Sequence, residues 1–472
     1  MLTTTHPKIY AELKEVVRIF ITEDSVADFV IDFSLTDKIV IKINDLTHTF
    51  PYLTEQDPNP IIQKRNQLRT CKKALFLALQ TYFKQNPSWG ALTGIRPTKL
   101  VYEMQQEENS LEVISKKMQD EYFVSSQKAD LACEIVKNQK GHFIKEPHLV
   151  NLYIHIPFCP TRCHYCSFIS VPIYKQKHLV AEYVEKLCIE IENAINLIKQ
   201  NNQEIFSIYI GGGTPTVLED AQFESILKAI AVKKTKKQKT EFSCEAGRPD
   251  TITDKKIALM QKHGVTRVSV NTQSLNDTTL QKIGRGHSAQ DFFDIFQKVK
   301  AAGFIINVDL IAGLEGESIT DFQNTLDQIL PLSPHNITIH TLAQKRGSKL
   351  FEEKQVKHAE DFIPLANSVS AMTDYAFNTL TINNYKPYYL YRQKRAQENL
   401  ENVGYALPKM QCVNNITVME EMLSVVACGA GAISKRINHA NNHIARFANP
   451  KDVKLYLERF DTILLAKLDF LC

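Results

Sequence analysis

Residues 149–168 read LVNLYIHIPFCPTRCHYCSF, an apolar stretch that runs directly into three cysteines. The apolar run over 149–156 is typical of a buried β-strand, and the residues that follow it predict a loop. Cys159, Cys163 and Cys166 stand in that loop at a C-x3-C-x2-C spacing, whereas the other seven of the ten cysteines are scattered along the chain. Thiols this close together on one loop can converge on a single small metal centre.

The residues leave two kinds of metal centre open. Thiolates are soft ligands that suit zinc and iron–sulfur clusters. A structural zinc site normally needs a fourth ligand, which His164 could supply. A cubane 4Fe–4S cluster on the three cysteines would instead keep one iron free of protein ligands, and that iron could bind a small molecule. Disulfides are disfavoured, because no export signal precedes the cysteines and a reducing compartment is expected.

Short apolar strands alternate with helical patterns from residue 150 onward. The predicted strands are 149–156, 205–210, 241–246, 267–271, 305–311 and 336–341, with helices over 180–198, 221–231 and 289–302. Six βα units in a row predict a parallel sheet, which either spreads as a doubly wound sheet or curls into a full or partial barrel. In either arrangement ligands bind at the carboxyl ends of the strands, where the cysteine loop stands.

Distinctive residues follow the later predicted strands as well. The run GGGT at 211–214 comes directly after the second strand, where the missing Cβ atoms allow close approach to the backbone. Polar side chains stand near later strand ends, at Glu245, Gln273, Arg285 and Asp309. A structural salt bridge or helix cap would explain Glu245 or Arg285 taken alone. Together they favour a ligand site, since carboxylates accept hydrogen bonds from ribose hydroxyls and arginine binds carboxylates in forked pairs.

Two further regions flank the barrel. At 472 residues the chain is longer than a single hydrophobic core usually organises. Its composition, 44% hydrophobic and 23% charged residues, is typical of a globular protein. Residues 1–145 predict an α/β domain of unknown role, with strands at 27–33 and 39–43 and a long helix over 61–83. Residues 146–348 form the barrel. Residues 349–472 predict a mainly helical region, clearest over 361–380, that could cover the barrel mouth.

Charge and hydropathy argue against two classes of partner. The formal net charge is +4, and beyond the lysine run at 233–237 no basic domain or stripe stands out, so no nucleic-acid partner is expected. No window contains the roughly 18 uninterrupted apolar residues of a membrane span, and residues 1–10 lack the pattern of a signal peptide. A cytoplasmic protein without a membrane span is the expectation.

The cysteine spacing and its Tyr-x-His-x-Pro-Phe approach at 153–158 resemble the radical S-adenosylmethionine (SAM) superfamily. In that superfamily three cysteines bind a 4Fe–4S cluster, and the amine and carboxylate of SAM chelate its open iron. The resemblance implies both cofactors here, and an α/β fold with a partial (β/α)6 barrel. It also implies contacts to SAM at the following residues: Tyr153, Tyr165, Gly213, Thr214, Glu245, Gln273, Arg285, Asp309 and Ala343.

Within the superfamily, residues 152 to about 345 resemble the oxygen-independent coproporphyrinogen III oxidase family, through GGGTPT at 211–216 and DLIAGL at 309–314. The likeness to its HemZ type extends to 92–99 and 388–405. This resemblance implies oxidative decarboxylation of two propionates of coproporphyrinogen III to vinyl groups, giving protoporphyrinogen IX in haem biosynthesis. A 5′-deoxyadenosyl radical would start the reaction, and a donor such as flavodoxin or ferredoxin would supply the electron. No catalytic residue is assigned.

One position departs from the family's pattern. Phe168 stands two residues after Cys166, where the well-known branch of the family has a further cysteine. The same ending resembles a second branch, the haem chaperones. That branch carries a His-Asn-x-x-Tyr-Trp segment after the barrel, whereas the single tryptophan of this chain is Trp89. The dehydrogenase is therefore favoured, and a haem-binding or trafficking protein or a radical SAM enzyme on another substrate stays open.

A substrate with four carboxylates needs cationic partners. Arg392, Lys394 and Arg395 lie close together after the barrel and are candidates. A solvated helix face is the alternative explanation for this run, so these residues are not assigned to the site.

Overall fold

The computed structural model describes residues 2–21, 30–52, 56, 58–94, 96–107, 109–142, 144–168, 170–230, 240–344, 347–350, 352, 368–440 and 443–471. The chain forms two compact units, one of residues 1–136 with 392–401 and the other of residues 137–391 with 402–472. The domain boundaries near 145 and 348 stay a prediction. Among the described residues, no helix has both the length and the apolar composition needed to cross a bilayer.

The first unit contains a four-stranded sheet and helices packed on it. Its strands, in sheet order, are β1 (Leu2–Thr4), β2 (Ile31–Leu35), β3 (Lys38–Ile43) and β4 (Leu46–Pro51). Its helices are α1 (Tyr10–Phe20), α2 (Pro60–Phe83), α3 (Pro97–Gln105), α4 (Leu111–Tyr122) and α5 (Ser126–Asn138), whose end extends into the second unit. β2 and β3 form the predicted antiparallel pair, although residues 27–29 lie outside the described residues.

Alternation of apolar residues builds the core of this unit. Ile39, Ile41 and Ile43 are fully buried on one face of β3, because successive side chains of a strand point to opposite faces. They share a buried cluster with Leu13 of α1 and Phe76 of α2. The amphipathic helix predicted over 61–83 is therefore the helix that covers this sheet.

The second unit is organised around an eleven-stranded sheet. Its central strands are β5 (Leu149–Ile156), β8 (Glu204–Gly212), β9 (Glu241–Gly247), β10 (Arg267–Val270), β11 (Ile305–Ala312) and β12 (Asn336–Thr341). Each is parallel to the next, which confirms the six predicted strands and their order. In the sequence between β5 and β8, two short strands pair with each other: β6 (Phe158–Cys159) and β7 (Val171–Pro172).

Helices connect these parallel strands, as the alternation of patterns predicts. They are α6 (Lys177–Gln200), α7 (Asp220–Ala229), α8 (Asp254–Lys262), α9 (Asp277–Lys282), α10 (Ala289–Ala301) and α11 (Ile319–Ile329). Serine caps fix the starts of two of them, because Ser288 and Ser318 each accept a hydrogen bond from the backbone N–H three residues later. These crossovers place the carboxyl ends of all six parallel strands at the same end of the sheet.

The C-terminal region, predicted as mainly helical, contributes five strands in addition to its helices. The strands are β13 (Lys386–Arg392), β14 (Glu401–Ala406), β15 (Ser424–Cys428), β16 (Ile433–Asn438) and β17 (His443–Ala448). The helices are α12 (Ser368–Ile382), α13 (Val413–Met419), α14 (Val453–Glu458) and α15 (Phe460–Leu471). Residues 361–367 of the helix predicted over 361–380 lie outside the described residues.

These late strands extend the sheet at both sides. β14 is antiparallel to β12, and β15 is parallel to β5. Sheet order is β13-β14-β12-β11-β10-β9-β8-β5-β15-β16-β17, so the described strands form an open sheet rather than a closed barrel. Sequence periodicity misses such strands because they are short and take their stability from strands far away in the sequence.

The segment of residues 410–419, called here the amino-end plug, contacts the starting ends of the parallel strands. The side-chain amide of Asn414 donates to the hydroxyl of Ser207 at 2.8 Å, and the amide of Asn151 donates to the hydroxyl of Thr417 at 3.0 Å. Ser207 in turn donates to Asn151 at 2.6 Å. Four polar side chains at this end of the sheet therefore satisfy one another: Asn151, Ser207, Asn414 and Thr417.

An ion pair completes the amino-end plug. Arg267, at the start of β10, lies 3.0 Å from the carboxylate of Glu241, at the start of β9. The same guanidinium donates to the carbonyl oxygens of Met410 and Gln411, both at 3.0 Å. Glu241 also accepts the backbone N–H of Asn414 at 3.3 Å. The candidate functional residues therefore lie at the other end of the strands, the carboxyl end.

Candidate functional site

The cysteine loop (residues 157–168) begins where β5 ends and is tied to two neighbouring connections. The N–H of Gly213, at the end of β8, donates to the carbonyl of Ile156 at 2.7 Å. On the other side the N–H of His164 donates to the carbonyl of Ile283, just after α9, at 3.0 Å. The loop is therefore fixed at the carboxyl ends of the parallel strands.

The three thiols of this loop differ in exposure. Cys163 is buried, and Cys159 and Cys166 are partly buried. Burial raises the pKa of Cys166 to about 11, so the free thiol keeps its proton at neutral pH, and metal binding would displace that proton. The hydroxyl of Thr214 donates to the sulfur of Cys159 at 3.5 Å.

The arrangement of the thiols distinguishes two kinds of metal centre. In the described part of the chain, no three His, Cys, Asp or Glu side chains converge as the ligands of a single metal ion do. Cysteines that hold a cubane cluster bind different iron atoms and need not meet at one point. A soft, three-thiol donor set on one loop therefore fits a 4Fe–4S cluster better than a mononuclear zinc site with His164.

The glycine run lies against the cysteine loop. A Cβ atom on Gly213 would lie 2.4 Å from the carbonyl oxygen of Phe158 and 3.0 Å from the sulfur of Cys159. Gly212 has a φ of +108°, and a Cβ atom there would lie 2.4 Å from Cδ2 of His155. A side chain at Gly213 would push the cysteine loop away from β8, and one at Gly212 would push against β5. The glycines that the sequence suggests for ligand approach thus also let the cysteine loop approach.

Glu245 is a partly buried carboxylate at the end of β9. Its oxygens accept hydrogen bonds from the hydroxyl of Tyr209 at 2.5 Å and from the N–H of Gly212 at 3.3 Å. Burial, reinforced by the charge of Asp309, raises the pKa of Glu245 to about 7. The ring of Tyr153 stacks on that of Tyr209, with centroids 6.2 Å apart and planes at 26°. These two tyrosines and Glu245 therefore form one contact group.

Asp309, on β11, has the opposite electrostatic character. The side-chain amides of Asn271 and Asn307 donate to its two oxygens at 2.8 and 2.7 Å, and Nε2 of His340 lies 3.7 Å away. Although burial raises the pKa of Asp309, the contacts with His340 and Asn307 lower it below its ordinary value. At neutral pH, Asp309 is therefore charged, whereas Glu245 is near its titration midpoint.

Arg285 contacts Asn271, the residue that also donates to Asp309, and reaches the cysteine loop. Its Nη1 donates to the carbonyl of Asn271 at 2.5 Å, and its Nη2 donates to the hydroxyl of Tyr165 at 3.3 Å. Its Nε is buried and has no hydrogen-bond partner among the described residues. The guanidinium thus keeps one donor for a further acceptor.

Gln273 is held in an uncommon backbone conformation. Its φ is +72°, in the left-handed region, and its N–H donates to the carbonyl of Asp309 at 3.1 Å. Its side-chain oxygen is buried without a hydrogen-bond partner in the described part of the chain. Ala343 is buried just after β12, where the N–H of Leu342 donates to the carbonyl of Ala312 at 3.0 Å. Gln273 thus combines a buried acceptor that has no partner among the described residues with an unusual φ, and both features are typical of ligand sites.

Sequence reasoning missed several polar residues that complete this edge. Tyr209, Asn271, Asn307 and His340 contact the predicted carboxylates directly. A two-residue period was the available signal for one of them, because Asn307 precedes Asp309 by two positions and shares its face of β11. The others stand on neighbouring strands, and register alone decides their proximity.

Arg392 does not belong to this site. It is buried in the first unit, where it donates to the carbonyl of Leu92 and, at 3.0 Å, to the carbonyl of Asn399. Its guanidinium lies 5.4 Å from the centroid of the Trp89 ring. Lys394 is largely exposed and pairs with Glu15 at 3.3 Å. The structure therefore assigns Arg392 to internal packing rather than to substrate binding.

Comparison with known proteins identifies relatives of the whole chain and of the barrel. Residues 153–329 match the radical SAM superfamily model. The chain is 34% identical to an oxygen-independent coproporphyrinogen-III oxidase-like protein, HemZ, from Bacillus subtilis, over 98% of this chain and 96% of the relative. It is also 35% identical to the haem chaperone HemW of the same organism, over 40% of this chain and 49% of the relative.

A solved structure shares the fold. It is that of coproporphyrinogen III oxidase, HemN, from Escherichia coli, with a TM-score of 0.53 and 21% sequence identity. The match covers 69% of this chain and 72% of that one. The α/β class and the radical SAM fold predicted from the sequence are therefore confirmed.

Proposed function

We propose, because the chain belongs to the radical SAM superfamily and within it to the family of oxygen-independent coproporphyrinogen-III oxidase-like proteins, that it converts two propionates of coproporphyrinogen III to vinyl groups. The observation that carries the proposal is the length of the similarity. It covers 98% of this chain and nearly the whole HemZ-type relative, including regions outside the barrel, whereas the matches to haem chaperones cover 40% to 65% of this chain. Regions outside a shared fold are where members of a superfamily differ in substrate.

Proteins of this superfamily use a 4Fe–4S cluster and SAM. In the proposal Cys159, Cys163 and Cys166 would hold the cluster at the carboxyl ends of the parallel strands. When bound, the reduced cluster and SAM supply a 5′-deoxyadenosyl radical, which takes a hydrogen atom from the β-carbon of a propionate. The supporting observations are the soft donor set and the close fit of the glycine run to the cysteine loop.

The polar edge of the sheet would hold SAM. Arg285 has an unpaired Nε that can donate to the carboxylate of SAM, and Gln273 has an unpaired oxygen that can accept from a hydroxyl or an amine. Glu245 and Asp309 are partly buried acceptors suited to ribose hydroxyls. Arg285 and Gln273 each keep one atom without a partner among the described residues. Tyr209 orients Glu245, and two asparagines orient Asp309. Together these four side chains present the donors and acceptors that SAM requires.

The substrate would enter on the same edge. Its propionates need hydrogen-bond donors, and one side chain at this end of the sheet that could donate is His340, which is about a quarter exposed and next to Asp309. Removal of water from this edge protects the radical and strengthens each polar contact. Overall, each propionate would lose a hydrogen atom, carbon dioxide and one electron, and that electron would pass to a separate one-electron acceptor.

Haem binding and transfer is a second candidate function. Phe168 stands in place of the further cysteine, and it is an exposed aromatic residue, at 66% of its full accessibility, next to the last cluster cysteine. An exposed aromatic side chain suits a flat hydrophobic ligand such as haem. The 35% identity to HemW across part of the barrel supports the same reading.

Anaerobic turnover separates the two functions. The protein is purified, reconstituted with iron and sulfide, and incubated with SAM and reductant in the presence or absence of coproporphyrinogen III. The proposed function predicts substrate-dependent 5′-deoxyadenosine, release of carbon dioxide and formation of protoporphyrinogen IX. Stoichiometric haem binding without the divinyl product would favour the chaperone. SAM cleavage without either result would keep the radical chemistry and reject both substrates.

A further inference from the structure

The side chain of Thr161 ties the spacer between the first two cysteines to two neighbouring segments. Thr161 stands in the middle of the Cys159 to Cys163 spacer, and its hydroxyl accepts a hydrogen bond from Nη1 of Arg248 at 2.7 Å. The same hydroxyl donates to the carbonyl of Gly284 at 2.9 Å. The spacer is therefore bound from two sides, by the end of β9 and by the turn that follows α9.

Arg248 is itself held rigidly. Its Nε and Nη2 donate to the two oxygens of Asp250 at 2.9 and 2.7 Å, so the guanidinium is gripped as a fork. The Arg248 side chain is 4% exposed, whereas that of Asp250 is 23% exposed. The positive end of the ion pair thus faces the cysteine loop, and the negative end faces solvent.

The surroundings of this ion pair add no competing charge from the nearest histidine. His287 has a fully buried side chain, and its Nδ1 lies 4.0 Å from Asp250. Burial, with the nearby charge of Arg285, lowers the pKa of His287 to about 4, so the ring is neutral. The charges that contact the cysteine loop here are those of Arg285, at Tyr165, and of the Arg248–Asp250 pair, at Thr161.

We propose that Arg248 is a positioning residue for the cluster: it holds the spacer between Cys159 and Cys163 and, as the buried end of an ion pair, raises the cluster's reduction potential. The inference rests on the part of the proposed function that assigns the cluster to the three cysteines, and it is independent of the substrate. Reduction adds a negative charge to the cluster. A fixed positive charge beside the loop stabilises that form more than the oxidised form, and net charge and hydrogen bonding both set cluster potentials.

Two substitutions predict shifts of opposite sign. Arg248→Gln leaves the carboxylate of Asp250 without its cation, so the midpoint potential should move to more negative values. At a fixed solution potential, the ratio of reduced to oxidised cluster should fall by roughly tenfold. Asp250→Asn leaves the cation uncompensated, so the potential should move to more positive values. A purely structural role would not produce opposite shifts.

Two more substitutions separate position from charge. Thr161→Val removes the bond to the spacer and keeps the ion pair, so the potential should stay near that of the wild type while a chelator extracts iron several-fold faster. Arg248→Lys keeps the charge but cannot form the fork, so it should restore much of the potential and little of the iron retention. Arg446→Gln, which removes a largely exposed arginine, is the matched control.

The measurements are iron content after anaerobic reconstitution, and the midpoint potential from a titration followed by electron paramagnetic resonance without SAM. Circular dichroism of each apo-protein checks folding, and Thr161→Val and Asp250→Asn carry the test if Arg248→Gln does not fold. A wild-type protein that takes up no cluster would overturn the proposed function. A normal wild-type cluster whose potential is the same in Arg248→Gln and Asp250→Asn would overturn this inference alone.

Discussion

The two ends of the parallel sheet use similar polar residues for opposite purposes. At the amino end Glu241 and Arg267 pair with each other and with the amino-end plug. At the carboxyl end Gln273 and Arg285 each keep a buried polar atom with no hydrogen-bond partner among the described residues. A buried polar group without a partner costs stability. Among the described residues, buried atoms without a partner also occur at the amino end, at Gln411 and Ser243, but those of Gln273 and Arg285 lie among the residues predicted to bind SAM, where they keep hydrogen-bonding capacity for a ligand.

This difference separates residues that stabilise the fold from residues that bind the cofactor, at opposite ends of the same strands. β9 begins with Glu241, which is satisfied, and continues to Glu245, whose pKa is raised by burial to about 7. Substitutions at the amino end should change unfolding, and substitutions at the carboxyl end should change cofactor binding.

The largest effect is expected from the cysteine loop. Cys163→Ala should abolish cluster incorporation, because two thiolates on this loop do not replace the three-cysteine set, and SAM cleavage should fall below detection. Iron, sulfide and 5′-deoxyadenosine are the measured quantities. Cys188→Ala, at a partly buried cysteine of α6, is the control and should behave as the wild type. Retained SAM cleavage in the Cys163 variant would remove the cluster assignment.

At the amino end, Arg267→Met should lower the free energy of unfolding by about 4 kcal/mol, because it leaves the carboxylate of Glu241 without its cation. Urea denaturation of the apo-protein measures the change. The dissociation constant of SAM for the reconstituted, folded variant should stay near that of the wild type. Lys454→Ala, in an exposed pair with Glu458, provides the reference for a surface substitution. Weakened SAM binding in the Arg267 variant would break the proposed division between the two ends.

Glu245 should make stability depend on pH. Its pKa in the folded protein, about 7, exceeds the ordinary 4.5, so the folded state binds the proton more tightly than the unfolded state. Its contribution to stability is therefore full below pH 4.5 and is lost as pH rises toward 7. Glu245→Gln should match the wild type at pH 4 and exceed its stability at pH 8 by at most about 3 kcal/mol.

Asp309 provides the contrast of sign for that experiment. Its pKa is lowered, so its contribution to stability is present at neutral pH and is lost as pH falls. Asp309→Asn should therefore lose stability relative to the wild type at pH 7 and approach it in acid. If the stability of the Glu245 and Asp309 variants, relative to the wild type, changed with pH in the same direction, the two carboxylates would not differ as described.

The smallest effect is expected at Gln273. Gln273→Asn keeps an amide and tolerates the φ of +72°, but its shorter side chain moves the unpaired oxygen away. The dissociation constant of SAM should rise about tenfold, which corresponds to about 1.4 kcal/mol. Calorimetric titration of the reconstituted protein measures it, and the unfolding midpoint should hardly move. A large loss of stability with unchanged SAM binding would place Gln273 among the structural residues.

Local patterns account for the parts of the molecule that sequence could predict. The six parallel strands carry short apolar runs between helical periods, and the observed strands begin or end within two residues of the predicted ones. The cysteines and the residues at strand ends stand out because parallel strands bring their carboxyl ends to one edge.

Register and long-range pairing account for what the sequence could not predict. His340 contacts Asp309 only because β12 pairs with β11 in a particular register. β14 and β15 become strands by pairing with β12 and β5, far earlier in the chain. Arg392 resembles a surface cation in sequence, yet its neighbours Trp89 and Leu92 lie about 300 residues away.

The pairing of β15 with β5 has a consequence for synthesis on the ribosome. β5 ends at Ile156 and its outer neighbour begins at Ser424, so one edge of the core strand stays without its partner while the intervening chain is made. At ordinary elongation rates this interval lasts roughly 15 to 50 seconds. An unpaired edge invites association with other nascent chains. The cysteine loop directly follows β5, so its three thiols remain on an incomplete scaffold until about the last tenth of translation.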